Sequence, residues 1–387
     1  MKFRLADRVE SLPPYLFAEL DRLKAERLKK GVDLIDLGVA DPDLPTPPHI
    51  IKALQESAKD PENHRYPAYT GMNRFREAAA RWMKRRFGIT LEPLTEVLTL
   101  IGSKEGISNF PLAFVNPGDV VLIPSPGYPP YTSGTLFSGG KPHFLYLKRE
   151  NNFLPDLKSI PREIAEKAKI LHINYPNNPT AAVANPEFFE EVVRFARQHK
   201  VIVCHDAAYS EQYDQAPSPS FLQIDGAREV GIEFHSLSKT FNMTGWRIGW
   251  ACGNRDLISG LGRIKTNIDS GAFQAVQWAG IAALEGDPGC IEEIRNVYRR
   301  RRRLVCDGLK KLGWDVASSA GSITLWVALP KGYGSADFSR KLLEEVGVMV
   351  TPGNGFGEGG EGYVRISLTC SDERLKEAVE RLGRLKI

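Results

Sequence analysis

The chain reads Ser236-Leu237-Ser238-Lys239-Thr240 and, a few residues on, Gly245-Trp246-Arg247-Ile248-Gly249. Two hydroxyls lie three and one residues before a lysine, and an arginine lies eight after it. Arginine grips a phosphate in fork geometry, and serine hydroxyls add further donors. An amine beside such an anion site suits covalent capture of a phosphorylated aldehyde as a Schiff base. A lone lysine in a loop is ordinarily just solvated. Here two serines, an arginine and two glycines surround it.

Three other clusters carry chemistry. Asn174-Tyr175-Pro176-Asn177-Asn178-Pro179-Thr180 follows an apolar run, and taken alone it is a common Asn-Pro turn. His205-Asp206-Ala207-Ala208-Tyr209 follows the apolar run 201–204. That puts a carboxylate at the carboxyl end of a buried strand, where ligands gather in open α/β sheets. An aspartate in that position is equally often a helix N-cap. Gly102-Ser103-Lys104-Glu105-Gly106 reads as a strand end opening a helix, whose free N–H groups can hold a phosphate. It matches neither GxGxxG nor the Walker pattern.

The elements that must position these residues alternate. Apolar runs at 97–101, 120–124, 142–147, 170–174, 201–204, 233–235 and 248–252 are separated by helical patterns, among them 103–115 and 186–199. Val- and Ile-rich runs alternating with helices predict a mostly parallel sheet covered on both faces. Upstream, helical spacing covers 16–30, 48–57 and 74–87, with a short strand at 33–39 and a rigid Asp/Pro loop at 41–48. Beyond residue 275 come a long helix (291–312), a strand (322–329), a helix (335–346), a strand (363–368) and a terminal helix from 371. That is the pattern of a smaller α+β unit. The arginines of the run 299–303 fan out around a helix axis instead of forming one stripe, and read as a solvated helix with salt bridges.

Composition excludes more than it names. In 387 residues, 42% are hydrophobic and 25% charged, so disorder, collagen and coiled coil are excluded. Lys plus Arg is 51 against 47 for Asp plus Glu, a net +4 that leaves no footprint for nucleic acid or membrane. Five dispersed cysteines without a CxxC pair argue against disulfides and a zinc site, and fit a cytoplasmic location. The N-terminus has no apolar signal-like stretch, and no run is long enough to span a bilayer. The histidines are scattered. His205 and His235 each precede a site residue and are expected to pack behind it.

The four clusters, in this order, resemble the fold-type I pyridoxal-phosphate (PLP) enzymes of the class I/II aminotransferase family, from the loop at 37–48 to Arg365-Ile366-Ser367. The resemblance implies an α/β fold: a large domain with a mostly parallel seven-stranded sheet between helices, plus a smaller α+β domain. It implies an N-terminal segment at 1–45, a large PLP-binding domain at 46–275 and a small domain at 276–387. Lys239 would carry the cofactor and then shuttle the proton, which requires a neutral amine. Asp206 would pair with the ring nitrogen, Asn178 and Tyr209 with the ring oxygen, and Tyr128 would stack on the ring. Ser236, Ser238 and Arg247 would bind the phosphate with the amides of Ser103 and Lys104. Arg365 would clamp the substrate α-carboxylate, beneath a lid at Gly38 and Val39. Tyr66, and with it Asn267, would reach a neighbouring subunit's site in a homodimer. No metal is implied, and the partners are amino-acid and 2-oxo-acid substrates.

Within the family, DLGVADPDLPTP, INYPNNPTA, HDAAYSE, EFHSLSKTFNMTGWRIGW and VTPGNGFGEGGEGYVRISLT are similar to phrases of the LL-diaminopimelate aminotransferases. That likeness implies transfer of the amino group of glutamate to tetrahydrodipicolinate in lysine biosynthesis. A broad aminotransferase for alanine, aspartate or aromatic amino acids, a β-lyase, and the effector domain of a transcription regulator are the alternatives. Ala40 and Ala181 stand where the family usually has glycine. A methyl there costs little at negative φ and more at positive φ.

Overall fold

The computed structural model describes residues 3–13 and 16–385. Helix α1 (Leu16–Lys29) and strand β1 (Ile35–Asp36) precede the Asp/Pro loop, and α2 (Pro48–Ala58) and α3 (Asn73–Phe87) follow it. The large sheet is built from β2 (Val97–Leu100), β3 (Val120–Ser125), β4 (Lys141–Tyr146), β5 (Ala168–Asn174), β6 (Ile202–Asp206), β7 (Gly231–Ser236) and β8 (Gly249–Gly253). Its order is β2-β8-β7-β6-β5-β3-β4. β8 runs antiparallel to both neighbours and every other pairing is parallel. The expected mostly parallel seven-stranded sheet is therefore present.

Helices α4 (Ser103–Phe114), α5 (Pro129–Phe137), α6 (Pro186–His199), α7 (Arg255–Lys265) and α8 (Gln274–Glu285) belong to this layer structure. Strand neighbours point to opposite faces. Val121, Ile170 and Cys204 join one core with Phe110 and Leu261. Leu122, Leu171 and Val203 join the other with Phe75 and Phe189. Burial on both faces is why these strands are almost continuously apolar.

A second core forms from α9 (Gly289–Lys311), β9 (Asp315–Ser318), β10 (Thr324–Ala328), α10 (Ser335–Glu345), β11 (Val348–Met349), β12 (Thr351–Pro352), β13 (Tyr363–Ser367) and α11 (Asp372–Leu382). The antiparallel sheet β12-β13-β10-β9 carries it. β1 pairs in parallel with β11, Ile35 opposite Val348, and Ile35 and Leu37 join this second core.

Two expectations change. The strand expected at 33–39 shortens to β1, because the Gly38 N–H turns onto Asp36 Oδ1 at 2.9 Å and the chain leaves the strand there. The strand expected at 201–204 runs on through Asp206, so that carboxylate belongs to β6 and not to a helix cap. Residues 275 and 276 both lie in α8, whose Ala279, Ala283 and Leu284 pack in the large-sheet core. The Ala-rich stretch gave no amphipathic stripe to mark that helix. Among the described residues no helix is long and apolar enough to cross a membrane.

Candidate active site

A cavity of about 460 Å³ opens at the carboxyl ends of β6 and β7. β6 and its following turn bring Asp206, Ala208 and Tyr209 to it. The end of β7 and the short helix Leu237–Thr240 bring Ser236, Ser238 and Lys239. The start of α4 adds Ser103 and Lys104, and the residue before α5 adds Tyr128. Asn178 comes from the turn after β5, Thr244 and Arg247 from the approach to β8, and Arg365 from β13. Val39, Ala40 and Asp41 close one side. Gly38 borders the cavity through its carbonyl, which accepts from Arg365 Nη2 at 2.7 Å. Tyr66 and Asn267 do not reach it. Tyr66 is 85% exposed, and Asn267 Nδ2 donates to the Arg263 carbonyl at 2.7 Å.

Local hydrogen bonds explain the placements. Ser236 Oγ accepts from Ser238 N–H at 3.2 Å and caps the short helix that carries Lys239. Asn174 Oδ1 accepts from Asn178 N–H at 2.7 Å while its Nδ2 donates to the Asp206 carbonyl at 2.7 Å, tying the Asn-Pro turn to β6. Arg247 adopts a left-handed φ of 56°. Its guanidinium lies so near Gly102 that a Cβ there would come within 2.3 Å of Nη2. Only glycine leaves room for this approach at the start of α4.

The electrostatics follow from burial. Burial, helped by Arg365 and Arg247 and opposed by Asp41, pulls the Lys239 ammonium down to about 8. Its Nζ donates to the Ala40 carbonyl at 2.8 Å. Asp206 is pushed up by burial, against the lowering effect of its bonds from the Tyr131 hydroxyl (2.9 Å, Oδ2) and Ala208 N–H (3.2 Å, Oδ1). Burial lowers Arg365 to about 10, so it stays a cation at neutral pH, with Nη1 donating to Asn178 Oδ1 at 2.9 Å.

Two groups escaped the sequence reading. Tyr131, on the inner face of α5, holds Asp206 and stacks on His172 with centroids 4.9 Å apart. Behind the site, the buried Glu233 accepts from His205 Nδ1 at 2.8 Å and His235 Nε2 at 2.7 Å. The two histidines lie behind the site as expected, and the carboxylate that unites them is new. Alternation puts Glu233 and His235 on one face of β7, but the pairing of His205 with Glu233 across strands is visible only in the register. Ala181 takes a φ of 55°, a conformation that costs a residue with a Cβ roughly 1 kcal/mol.

Residues 32–382 match the model of the family described as aminotransferase class I and II. The chain is 58% identical over 386 residues to the LL-diaminopimelate aminotransferase of Syntrophobacter fumaroxidans, covering 100% of both chains. It is 57% identical to that of Aquifex aeolicus, again over 100% of both. A solved aminotransferase from Staphylococcus aureus, 36% identical, superposes with a TM-score of 0.92 over 98% of each chain. The cavity fits the cofactor of this family: an amine lowered to about 8, a buried carboxylate one strand away, and an arginine beside a helix start that glycine keeps open. The chain therefore belongs to the class I and II aminotransferases, enzymes dependent on pyridoxal 5′-phosphate.

Proposed function

We propose that the chain is an LL-diaminopimelate aminotransferase. It would take the amino group of glutamate, leave 2-oxoglutarate, and pass that group to tetrahydrodipicolinate to give LL-2,6-diaminopimelate. The observation that carries this is the convergence of Asp206, Lys239, Arg247 and Arg365 on one cavity, in a chain alike end to end to relatives of that name. Ser103, Lys104, Ser236, Ser238 and Arg247 bind the phosphate of PLP. Tyr128 would stack on its ring, Asn178 and Tyr209 would donate to its ring oxygen, and Asp206 would hold a proton on the ring nitrogen. When bound, PLP supplies the electron sink that makes a substrate Cα proton removable. Lys239 Nζ, neutral above about pH 8, would be the base that takes that proton. Arg365 orients the substrate α-carboxylate, and Gly38 and Val39 exclude water above it.

A homodimer belongs to the same reading, with Tyr66 and Asn267 serving a neighbouring site. Its support is a cluster of exposed apolar side chains, Tyr66, Tyr69, Ile268 and Phe273. They lie on two segments joined by bonds from Gln274 Nε2 to the Glu62 and Arg65 carbonyls. The large domain extends through α8, whose side chains pack in its core. Five unpaired thiols fit a reducing cytoplasm.

The test is the half-reaction. LL-diaminopimelate and glutamate should each convert the purified enzyme from its PLP to its pyridoxamine-phosphate spectrum. Conversion by alanine or aspartate, with none by LL-diaminopimelate, would favour a broad aminotransferase instead.

A further inference from the structure

The arginine run in α9 is not solvated throughout. Arg299 and Arg300 pair with Glu292 and Asp372 near the surface. Arg301 and Arg302 are buried, each with only 4% of its surface exposed. They continue the stripe of Tyr298, Val305 and Leu309, spaced three and four apart along the helix. Arg302 donates to Asp214 and to the Ser322 carbonyl within the protein body.

Arg301 joins three segments. Its Nη1 and Nη2 fork onto Asp43 at 2.6 and 2.8 Å. Nη1 also donates to the Leu368 carbonyl, and Nε to Asp372 Oδ1, both at 3.1 Å. Leu368 directly follows β13, the strand that carries Arg365. Asp43 lies in the loop whose first residues cover the cavity. That loop is pinned on the same side by Thr351 Oγ1 on the Gly38 carbonyl at 2.6 Å and Thr369 Oγ1 on the Val39 carbonyl at 3.1 Å. One guanidinium thus connects the loop above the carboxylate site to the strand that bears its arginine. A bidentate fork sets angle as well as distance, which a lysine cannot do.

We propose that Arg301 and Asp43 are a positioning pair. They fix the 38–43 loop over the substrate α-carboxylate and so govern affinity for the amino acid, not for the cofactor. This rests on the aminotransferase reading above. The residues assigned to the phosphate come from the large sheet and its helices, whereas the partners of Arg301 lie in the loop, after β13 and at the start of α11.

The experiment uses the PLP-loaded enzyme and the variants Arg301→Lys and Asp43→Asn. Asp43→Asn keeps the shape of the side chain and guards against a folding defect in the first. Binding of 2-methylglutamate, which has no removable Cα proton, is followed by the visible spectrum, alongside KM and kcat for glutamate. The dissociation constant and KM should rise about tenfold in each variant. kcat should change less than threefold, and PLP half-saturation and the substrate-free spectrum should not move. The double variant should be no worse than the poorer single. Wild-type affinity in both variants, or a parallel loss of PLP affinity, overturns the positioning role alone. Wild-type enzyme that binds neither 2-methylglutamate nor glutamate overturns the substrate reading and the positioning role with it.

Discussion

Two buried carboxylates lie on neighbouring strands and meet opposite conditions. Glu233 is saturated. Oε1 accepts from Ser220 Oγ at 2.8 Å and His235 Nε2 at 2.7 Å. Oε2 accepts from His205 Nδ1 at 2.8 Å, Phe221 N–H at 2.9 Å and Ser220 Oγ at 3.0 Å. Burial opposes its charge, but the bonds from His205 and His235 outweigh it and hold the carboxyl well below the usual range. Asp206 has two donors for two oxygens, and burial prevails, so its carboxyl is pushed up. A carboxylate offers about four acceptor sites. Glu233 uses them on its own chain and locks β6 to β7. Asp206 faces the cavity with acceptor capacity left, which suits a cationic partner that arrives with the cofactor.

The comparison yields graded expectations. Removing Glu233 should have the largest effect. Glu233→Ala leaves two buried imidazoles without their carboxylate, and breaking a buried charged network costs about 3–5 kcal/mol. Denaturant unfolding should show that loss, while kcat/KM of the folded fraction changes little. A large fall in kcat/KM without a stability loss would dissolve the distinction between the two carboxylates.

Asp206→Asn should do the reverse. Loss of a preorganised charge at the reacting group should lower kcat/KM about 100- to 1,000-fold, with unfolding of the cofactor-free chain unchanged or shifted toward stability. The pH dependence carries the same contrast. Glu233, lowered in the folded chain, contributes stability above its ordinary value of 4.5 that is lost as pH falls. Asp206, raised in the folded chain, costs stability as pH climbs above its ordinary value of 3.8. Stability–pH curves of the cofactor-free variants should therefore differ from wild type with opposite sign. Tyr131→Phe should be milder. One hydrogen bond to a charged group is removed, and a roughly tenfold fall in kcat/KM, about 1.4 kcal/mol, is expected.

How far the sequence reaches differs between these groups. Lys239, Asp206 and Arg247 were legible because their chemistry is written in contiguous runs, each bordering an apolar stretch. The large sheet was legible for the same reason: strand and helix patterns alternate without interruption from 97 to 253. Glu233 was not, since its meaning depends on a partner in another strand and on a register that periodicity does not reveal. Arg301 was half-visible. Its spacing from Tyr298 and Val305 put it on the apolar stripe, yet a run of five like residues gives no contrast from which to pick the buried ones. Tyr131 looked like one more core aromatic on α5. Helix α8 went unmarked because its Ala-rich run gives no amphipathic stripe.

With two bonds from its own chain, Asp206 is proposed to hold a proton on the cofactor's ring nitrogen. The direct measurement is the 15N chemical shift of that nitrogen in enzyme loaded with labelled PLP. A protonated nitrogen is expected in the wild type and an unprotonated one in Asp206→Ala, with Glu233→Gln resembling the wild type. An unprotonated nitrogen in the wild type, or one that stays protonated without Asp206, would contradict it.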